Sequence, residues 1–363
     1  MNRTLLLNPG PVSLSARVRQ ALLRPDLCHR EHEFSVLQTA IRDALLAVYG
    51  LDEARWAAVL MTASGTAAVE AMLLSAVPRD GRVLVIENGV YGERMSSMAA
   101  RAGIPTSRCS AAWDADFSLE DIAAALDDFP ATTHVAVVHH ETTTGRLNRL
   151  PALAALCTAR GVDLLIDAVS SFGAEDIDFT AWPIAACAAT ANKCLHGVPG
   201  VSFVVLNRQR FARSGNPGRT VYLDLATYLV QQDQGGTPFT QSVQVFYALR
   251  EALAEFAEAG GQAARQRLYR LRMARVREVL STLGVSGLLP AEVSSCVLQA
   301  FRLPAGHSYP ALHDGLKARG FVIYAGQGRL SGDIFRLSLM GELTGADLDR
   351  LEAALQTLLG ARD

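Results

Sequence analysis

Lys193 is the residue best suited to covalent chemistry in this sequence. It follows the apolar stretch 184–189 and precedes a glycine-containing turn, within the segment ANKCLHG at 191–197. A lysine at the end of a strand, inside an apolar crevice, loses its proton easily and can form a Schiff base with a carbonyl group. Most lysines are charged surface residues, so the site has to be supported by other residues.

Asp167 closes the apolar stretch LLI at 164–166 and precedes Lys193 in the chain. A carboxylate against the ring nitrogen of a pyridine cofactor keeps that nitrogen protonated, and the ring works as an electron sink only in that form. The alternative is a strand-end aspartate that caps the next helix.

Ser64, Gly65 and Thr66 precede a helical pattern at 67–77. A small turn that opens a helix presents backbone N–H groups and the positive end of the helix dipole to a phosphate. The two hydroxyls would add further donors. An ordinary helix cap would have the same sequence, and it is the alternative here.

Three further features point to the same kind of site. Tyr91 follows a glycine turn and can stack on a planar ring, although a core aromatic would have the same pattern. The hydroxyl-rich loop ETTTG at 141–145 includes Thr143. Arg336 lies among apolar residues in a strand pattern, where its planar fork suits a carboxylate or phosphonate; an exposed strand arginine is the alternative. Each feature is weak by itself, and their shared position at strand ends carries the argument.

Short apolar runs alternate with amphipathic stretches around these residues, which is typical of a parallel sheet with crossover helices. Strands are predicted at 82–86, 134–138, 163–166 and 201–206, and helices at 118–129 and 151–160. Ligands of open parallel sheets bind beyond the carboxyl ends of the strands, so the loops 87–89, 139–145 and 167–173 should share one crevice.

The pattern changes near residue 260, where two glycines separate the long helical stretches 246–258 and 262–283. A strand, a helix, two strands and a helix are then predicted, in that order, at 293–301, 309–319, 321–324, 334–339 and 346–359. Thr344 with Asp347 predicts a capping box at the start of the last helix. We therefore expect two domains, a large one at 1–260 and a small α+β one at 261–363.

Composition narrows the function classes. The chain has 363 residues, of which 50% are hydrophobic and 19% charged, and its net charge is -2. This balance does not predict a nucleic-acid or membrane surface. Six scattered cysteines form no CxxC pair, and no Cys/His spacing suits zinc, so we expect no metal site and free thiols in a reducing cytoplasm. No signal peptide or membrane span is expected.

Together these residues resemble the fold-type I, class V aminotransferases that depend on pyridoxal 5'-phosphate (PLP). The resemblance covers nearly the whole chain, from LLLNPGP at 5–11 to the final helix, and includes CHRE at 28–31 and ANKCL at 191–195. It implies an α/β large domain with a mostly parallel seven-stranded sheet flanked by helices, and a small C-terminal α+β domain. Residues 1–20 would pack on the small domain, and the enzyme would be a homodimer.

The resemblance also implies roles for individual residues. Lys193 would bind PLP covalently and move the substrate proton, and Asp167 would hold the ring nitrogen. Tyr91 and Val169 would cover the two ring faces, with Thr143 near the ring oxygen and Asn192 beside the lysine. The phosphate would be bound by Ser64, Gly65 and Thr66, and by Thr237 or Thr240 of the neighbouring subunit. The acid group of the substrate would be bound by Arg336, with Asn8, Gly10, His29 and Arg30 as further substrate contacts.

The resemblance favours members that transfer an amino group between 2-aminoethylphosphonate and pyruvate. Members that act on alanine and glyoxylate, or on serine and pyruvate, tend to have two serines where this chain has Thr142-Thr143, and a glutamine in place of Asn192. His29-Arg30 instead resembles the alanine–glyoxylate group. A cysteine desulfurase is a weaker alternative, because Cys296 lies in a predicted strand. A non-catalytic PLP-binding protein would not need both Lys193 and Asp167.

Overall fold

The computed structural model describes residues 3–360, so residues 1–2 and 361–363 of the two predicted domains lie outside the described residues. The strands are β1 (Leu5–Leu6), β2 (Trp56–Met61), β3 (Arg82–Glu87), β4 (Thr106–Ser110), β5 (Thr132–Val138), β6 (His140–Glu141), β7 (Arg146–Leu147), β8 (Asp163–Asp167), β9 (Ile184–Thr190), β10 (Ser202–Asn207), β11 (Leu298–Arg302), β12 (Phe321–Val322), β13 (Tyr324–Ala325) and β14 (Ile334–Ser338). The helices are α1 (Ala16–Ala21), α2 (His32–Ala47), α3 (Gly65–Ala76), α4 (Val90–Arg101), α5 (Leu119–Asp128), α6 (Pro151–Ala159), α7 (Arg208–Ala212), α8 (Leu225–Asp233), α9 (Val243–Glu258), α10 (Gly261–Thr282), α11 (Tyr309–Ala318) and α12 (Gly345–Leu359).

Within residues 3–360 the largest sheet has seven strands in the order β2-β10-β9-β8-β5-β3-β4. The predicted α/β class and the seven-stranded, mostly parallel sheet are confirmed. The four strands predicted before residue 260 are confirmed as well. One of them, β10, is antiparallel to both of its neighbours, so a parallel arrangement for that strand is wrong. β2 and β4 were not predicted.

Helices pack on both faces of this sheet, because its strands are buried on both sides. One apolar cluster joins α2, α6 and α9 to the sheet, and the other joins α3, α4 and α8 to the opposite face. β8 and β9 are buried at every position, which explains their apolar runs LLI at 164–166 and IAACAA at 184–189.

The C-terminal part forms a three-stranded antiparallel sheet in the order β11-β14-β13, packed on α10, α11 and α12. The strand predicted at 293–301 is shorter than expected, because residues 291–293 form a 3₁₀ turn and β11 begins at Leu298. The strand predicted at 321–324 is two strands: β12 pairs with β1, whereas β13 pairs with β14. The capping box of Thr344 and Asp347 is confirmed.

The N-terminal segment contacts both parts of the molecule. β1 pairs in parallel with β12 of the C-terminal part, whereas α1 packs along α9. The division at 260/261 stays a prediction. Among residues 3–360, no helix combines the length and apolarity needed to cross a membrane.

Candidate active site

The carboxyl ends of five strands meet at one edge of the large sheet. β3, β5, β8 and β9 are mutually parallel, and β2 has the same direction because both β2 and β9 are antiparallel to β10. Ser64, Tyr91, Glu141 and Lys193 follow four of these ends within a few residues, and Asp167 is the last residue of β8. A cavity here is lined by Gly65, Thr66, Tyr91, Asp167 and Val169, together with Arg94 and methionines of α4. The cavity therefore brings together five of the predicted cofactor residues. Lys193 does not line it, but the charge of Lys193 acts on Asp167.

Lys193 lies three residues beyond β9, under a segment from the far N-terminus. Its Nζ contacts the backbone oxygen of Pro9. A Cβ on Gly10 would lie 2.7 Å from the Lys193 side chain, and the φ of Gly10 is +120°, so this close approach needs glycine. Burial lowers the pKa of Lys193 to about 8, which leaves a substantial neutral fraction of the amine near physiological pH.

Asp167 is the last residue of β8 and is 7% exposed. Its Oδ1 accepts a 2.9 Å hydrogen bond from the backbone N–H of Val169. Among the described residues, none donates a hydrogen bond to Oδ2, so that oxygen is available to a ligand. Burial raises the pKa of Asp167 to about 6, while the charges of Lys193 and Arg94 oppose the shift. An N–H cation of a ligand would favour the ionised carboxylate further.

Ser64, Gly65 and Thr66 open α3 on the cavity side. Ser64 occupies the N-cap position, yet its side chain makes no capping hydrogen bond, and both hydroxyl residues are exposed. The ordinary helix cap considered from the sequence is therefore not formed by Ser64. A Cβ on Gly65 would lie 2.8 Å from Val169, so only glycine allows α3 to approach that side chain. Free hydroxyls and N–H groups at a helix start suit a phosphate.

Tyr91 is the second residue of α4 and is half-buried beside the cavity. The guanidinium of Arg94 lies 4.7 Å from the centre of its ring, on the same helix. Arg94 was not predicted from the sequence, because residues three positions apart are neighbours only when the segment is helical. Arg94 also contributes a positive charge that acts on Asp167.

Glu141, which sequence analysis did not single out, holds two loops of the site together. The carboxylate is fully buried and accepts hydrogen bonds from the backbone N–H of Tyr91 at 3.2 Å and of Thr143 at 3.1 Å. It also accepts from the Thr143 hydroxyl at 2.6 Å. A Cβ on Gly89 would collide with Glu141 at 2.2 Å. Burial raises the pKa of Glu141 to about 7.

Thr143 is fully buried, and its hydroxyl both donates to Glu141 and accepts from Val90 N–H at 3.2 Å. This geometry gives Thr143 a role in holding the loop, and its contact with the cofactor stays a prediction. Asn192 lies beside Lys193 as expected from the sequence, and its Oδ1 accepts from the Thr190 hydroxyl at 2.8 Å.

Arg336 lies in the middle of β14 and is 2% exposed. An exposed strand arginine is therefore excluded. Its guanidinium donates to the backbone oxygens of Ala325 at 2.8 Å and Thr142 at 2.9 Å, and to Oε1 of Gln327 at 3.0 Å. The contact with Thr142 places this cation beside the loop that holds Tyr91, so Arg336 lies at the edge of the candidate site.

The other residues predicted to bind the substrate or the phosphate of the neighbouring subunit lie in several separate segments. Asn8 is buried in the segment above Lys193, and its Oδ1 has no hydrogen-bond donor among the described residues. Thr237 accepts a hydrogen bond from Gln241 within its own chain, whereas Thr240 is exposed. Arg30 is exposed, and His29 is half-buried. Within residues 3–360, neither the His29 nor the Arg30 side chain forms a hydrogen bond or a salt bridge with the lysine site.

The number of lysines in the sequence also supports Lys193 as the reactive amine, and the motifs alone do not contain this signal. The chain contains only two lysines, Lys193 and Lys317. Lys317 is exposed in the last turn of α11. Lys193 is therefore the only lysine of this chain that could serve the site at the sheet edge.

The residues present fit PLP. An amine of lowered pKa, a carboxylate oxygen without a donor and a helix start with uncommitted hydroxyls correspond to the aldehyde, the ring nitrogen and the phosphate of that cofactor. Val169 and the half-buried Tyr91 line the cavity beside Asp167 and the start of α3. These are the groups that would hold PLP.

Comparisons with known proteins agree with this geometry. Residues 24–351 match the family described as "Aminotransferase class-V". The chain is 38% identical over 358 residues to the 2-aminoethylphosphonate–pyruvate transaminase of Aeromonas hydrophila, covering 97% of this chain and 94% of the relative. It is 35% identical over 359 residues to the enzyme of that name from Vibrio vulnificus, covering 98% and 97%. The solved alanine–glyoxylate aminotransferase of Nostoc sp. superposes with a TM-score of 0.90 at 29% identity, covering 99% and 96%.

Proposed function

The chain belongs to the class-V aminotransferase family, and from that premise we propose that it exchanges an amino group between 2-aminoethylphosphonate and pyruvate. The products are phosphonoacetaldehyde and L-alanine, and the chemistry permits either direction. The observation that carries the choice of substrates is the near full-length similarity to transaminases of that name. The buried guanidinium of Arg336 supplies the cation that a phosphonate and a carboxylate both need.

PLP, when bound, supplies an aldehyde that bonds to amines and a ring that accepts the electron pair released from Cα. Lys193 would provide the amine that holds the aldehyde, and its pKa of about 8 would allow Nζ to take up and release the substrate proton. Oδ2 of Asp167 would accept a hydrogen bond from the protonated ring nitrogen. Ser64, Gly65 and Thr66 would bind the phosphate.

Arg336 orients each substrate by its acid group, and both substrates use the same pocket in turn. Asn8 offers a buried oxygen acceptor to the substrate amine, since Oδ1 has no donor among the described residues. Gly10 lets the N-terminal segment close over Lys193, because any larger residue would meet the lysine side chain. This cover limits the access of water to the reacting amine.

We propose that the enzyme is a homodimer and that Thr237 or Thr240 reaches the phosphate of the neighbouring subunit. Exposed apolar residues beside this segment support the proposal: Val221 is 79% exposed, and Tyr222 packs against Phe239 with ring centres 5.1 Å apart. Val221→Asp should shift the sedimentation of the protein toward a monomer. Leu271→Asp, at an exposed leucine of α10, is the control. A monomeric wild-type protein would contradict the proposal.

The six free cysteines, five of them buried, support a reducing compartment such as the cytoplasm. Apart from PLP, the proposed reaction requires only the small amino acids, oxo acids and phosphonates named above.

The alternative is an alanine–glyoxylate or serine–pyruvate aminotransferase, which is favoured by the similarity to the Nostoc enzyme. Alanine formation from pyruvate, with 2-aminoethylphosphonate as donor, tests the proposal directly. We expect its kcat/KM to exceed that of L-alanine with glyoxylate, and of L-serine with pyruvate, by at least about tenfold, or about 1.4 kcal/mol. Turnover of alanine with glyoxylate but not of the phosphonate would select the alternative.

A further inference from the structure

The guanidinium of Arg336 is partly occupied by its own protein. Nε donates to Ala325, and Nη1 donates to both Thr142 and Gln327. Among the described residues, none accepts a hydrogen bond from Nη2. The two N–H groups still available are therefore on one nitrogen and point in different directions. A carboxylate or phosphonate binds arginine most strongly through parallel N–H groups of two different nitrogens.

A bidentate acid must therefore displace one of the three acceptors. Ala325 and Thr142 accept through backbone oxygens, held by β13 and by a buried loop respectively. Gln327 accepts through its side chain, at 3.0 Å, and can leave by rotation about its own bonds. Because Gln327 is half-buried at the start of an exposed loop, it lies on the solvent side of the buried Arg336.

Residues on the opposite side of the crevice support the loop that carries Gln327. The next residue, Gly328, has a φ of +51°, and a Cβ there would lie 2.9 Å from the ring of Trp113. The guanidinium of Arg329 lies 4.4 Å from the centre of that ring. Trp113 in turn donates from Nε1 to Glu93 of α4 at 2.9 Å. The loop at 326–333 is therefore supported by the helix that carries Tyr91.

We propose that Gln327 is a positioning residue, which covers the guanidinium of Arg336 and gives way when the acid group of a substrate arrives. This inference rests on the proposed function, because it requires Arg336 to bind that acid. A neutral amide suits the role: it occupies the cation weakly enough for a carboxylate or phosphonate to replace it. A carboxylate at position 327 would instead pair with Arg336 and compete with every acidic substrate.

The test uses the PLP-loaded enzyme and two acids that cannot react, ethylphosphonate and propionate, with binding followed by calorimetry. We expect Gln327→Glu to weaken the binding of both acids at least tenfold. Gln327→Ala should bind them as tightly as the wild type or up to about tenfold more tightly, since a competitor is removed. Gln356→Glu adds the same charge at an exposed position of α12 and should bind like the wild type.

Turnover gives a second readout. Gln327→Glu should raise the KM of both acidic substrates at least tenfold and change kcat at saturation less than twofold, because only access to Arg336 is altered. Binding by Gln327→Glu that equals the wild type would overturn the inference. Weaker binding by Gln327→Ala would also overturn it, since it would make Gln327 a ligand of the acid.

Arg336→Gln separates the two hypotheses. Loss of acid binding in Arg336→Gln, with normal binding in Gln327→Glu, would reject the role of Gln327 and leave the proposed function intact. Unchanged acid binding in Arg336→Gln would reject Arg336 as the acid site and, with it, the inference about Gln327.

Discussion

The backbone N–H of Gly341 donates a 2.8 Å hydrogen bond to Nε2 of His196. His196 stands three residues after Lys193, and Gly341 three residues after β14, which carries Arg336. The Tyr269 hydroxyl lies 2.5 Å from the same nitrogen. Burial and nearby arginines lower the pKa of His196 well below its usual range, so the ring is neutral. The hydrogen bond from Gly341 makes Nε2 the nitrogen without a proton. This contact joins the lysine turn to the arginine strand.

His196→Asn should break that connection without straining the turn. His196 has a φ of 61°, a conformation that asparagine tolerates, so the change removes the acceptor of Gly341 and keeps the backbone. A buried N–H without a partner costs about 1–3 kcal/mol, and we expect urea unfolding to show a loss in that range. We also expect kcat/KM to fall about tenfold. His313→Asn, on the surface of α11, is the control, and equal losses in both variants would contradict the role of His196.

The two lysines of the chain allow a clean test of covalent attachment. Lys193→Ala should lower turnover by at least about 10³-fold, because both the covalent contact and the proton carrier are lost. Borohydride reduction of the PLP-loaded protein should place the cofactor mass on the peptide that contains Lys193. Lys317→Ala, at an exposed position, should retain both activity and labelling. Full activity of Lys193→Ala would reject the assignment.

Ser64 and Ser118 occupy the same helix position with different partners. Ser118 accepts a 3.0 Å hydrogen bond from Asp121 N–H, whereas Ser64 makes no such capping bond. Ser118→Ala should therefore lose about 1 kcal/mol of stability and keep its affinity for PLP. Ser64→Ala should keep the stability of the cofactor-free protein within about 0.5 kcal/mol and bind PLP about tenfold more weakly. Urea unfolding measures the stability, and fluorescence titration measures the affinity for PLP. A loss of stability in Ser64→Ala with unchanged affinity for PLP would make Ser64 a structural cap.

Glu141 should make stability depend on pH in a defined direction. Its pKa is raised in the folded state to about 7 from an ordinary value of 4.5, so the folded protein binds the proton more tightly than the unfolded chain. The stabilising effect of the protonated form is present in full below about pH 4.5 and is lost as the pH rises through 7. Glu141→Gln does not titrate, but its amide N–H₂ would face the N–H and hydroxyl groups that donate to Glu141. This mismatch should lower the free energy of unfolding by about 1–3 kcal/mol.

Urea unfolding of the cofactor-free protein at about pH 5 and pH 8 measures this effect. The stability difference between wild type and Glu141→Gln should be larger at the lower pH and narrow at the higher one. Glu278→Gln, at an exposed site of α10, should show no such change. A difference that widens with pH would show that Glu141 is stabilised as the charged carboxylate.

The amino-acid sequence by itself determined the fold class and the ends of the buried strands. The runs at 164–166 and 184–189 are apolar because both faces of β8 and β9 are covered. Asp167 could therefore be recognised as a residue at a strand end, and Lys193 as a residue just beyond one. β4 was missed because it lies at the sheet edge, where burial alternates and the sequence TSRCS is polar. The direction of β10 was also undetermined, since periodicity carries no information on strand orientation.

Only the tertiary structure decided which distant residues complete the site. The contacts of Gly10 with Lys193, of Glu141 with Tyr91 and of Gln327 with Arg336 join segments that are distant in the sequence. The periodic pattern of a sequence reflects which face of one element is buried, and a single hydrogen bond between two loops leaves no such pattern. The lysine and the aspartate were therefore predictable from their own strands, whereas the residues that position and cover them became visible only when the strand ends met.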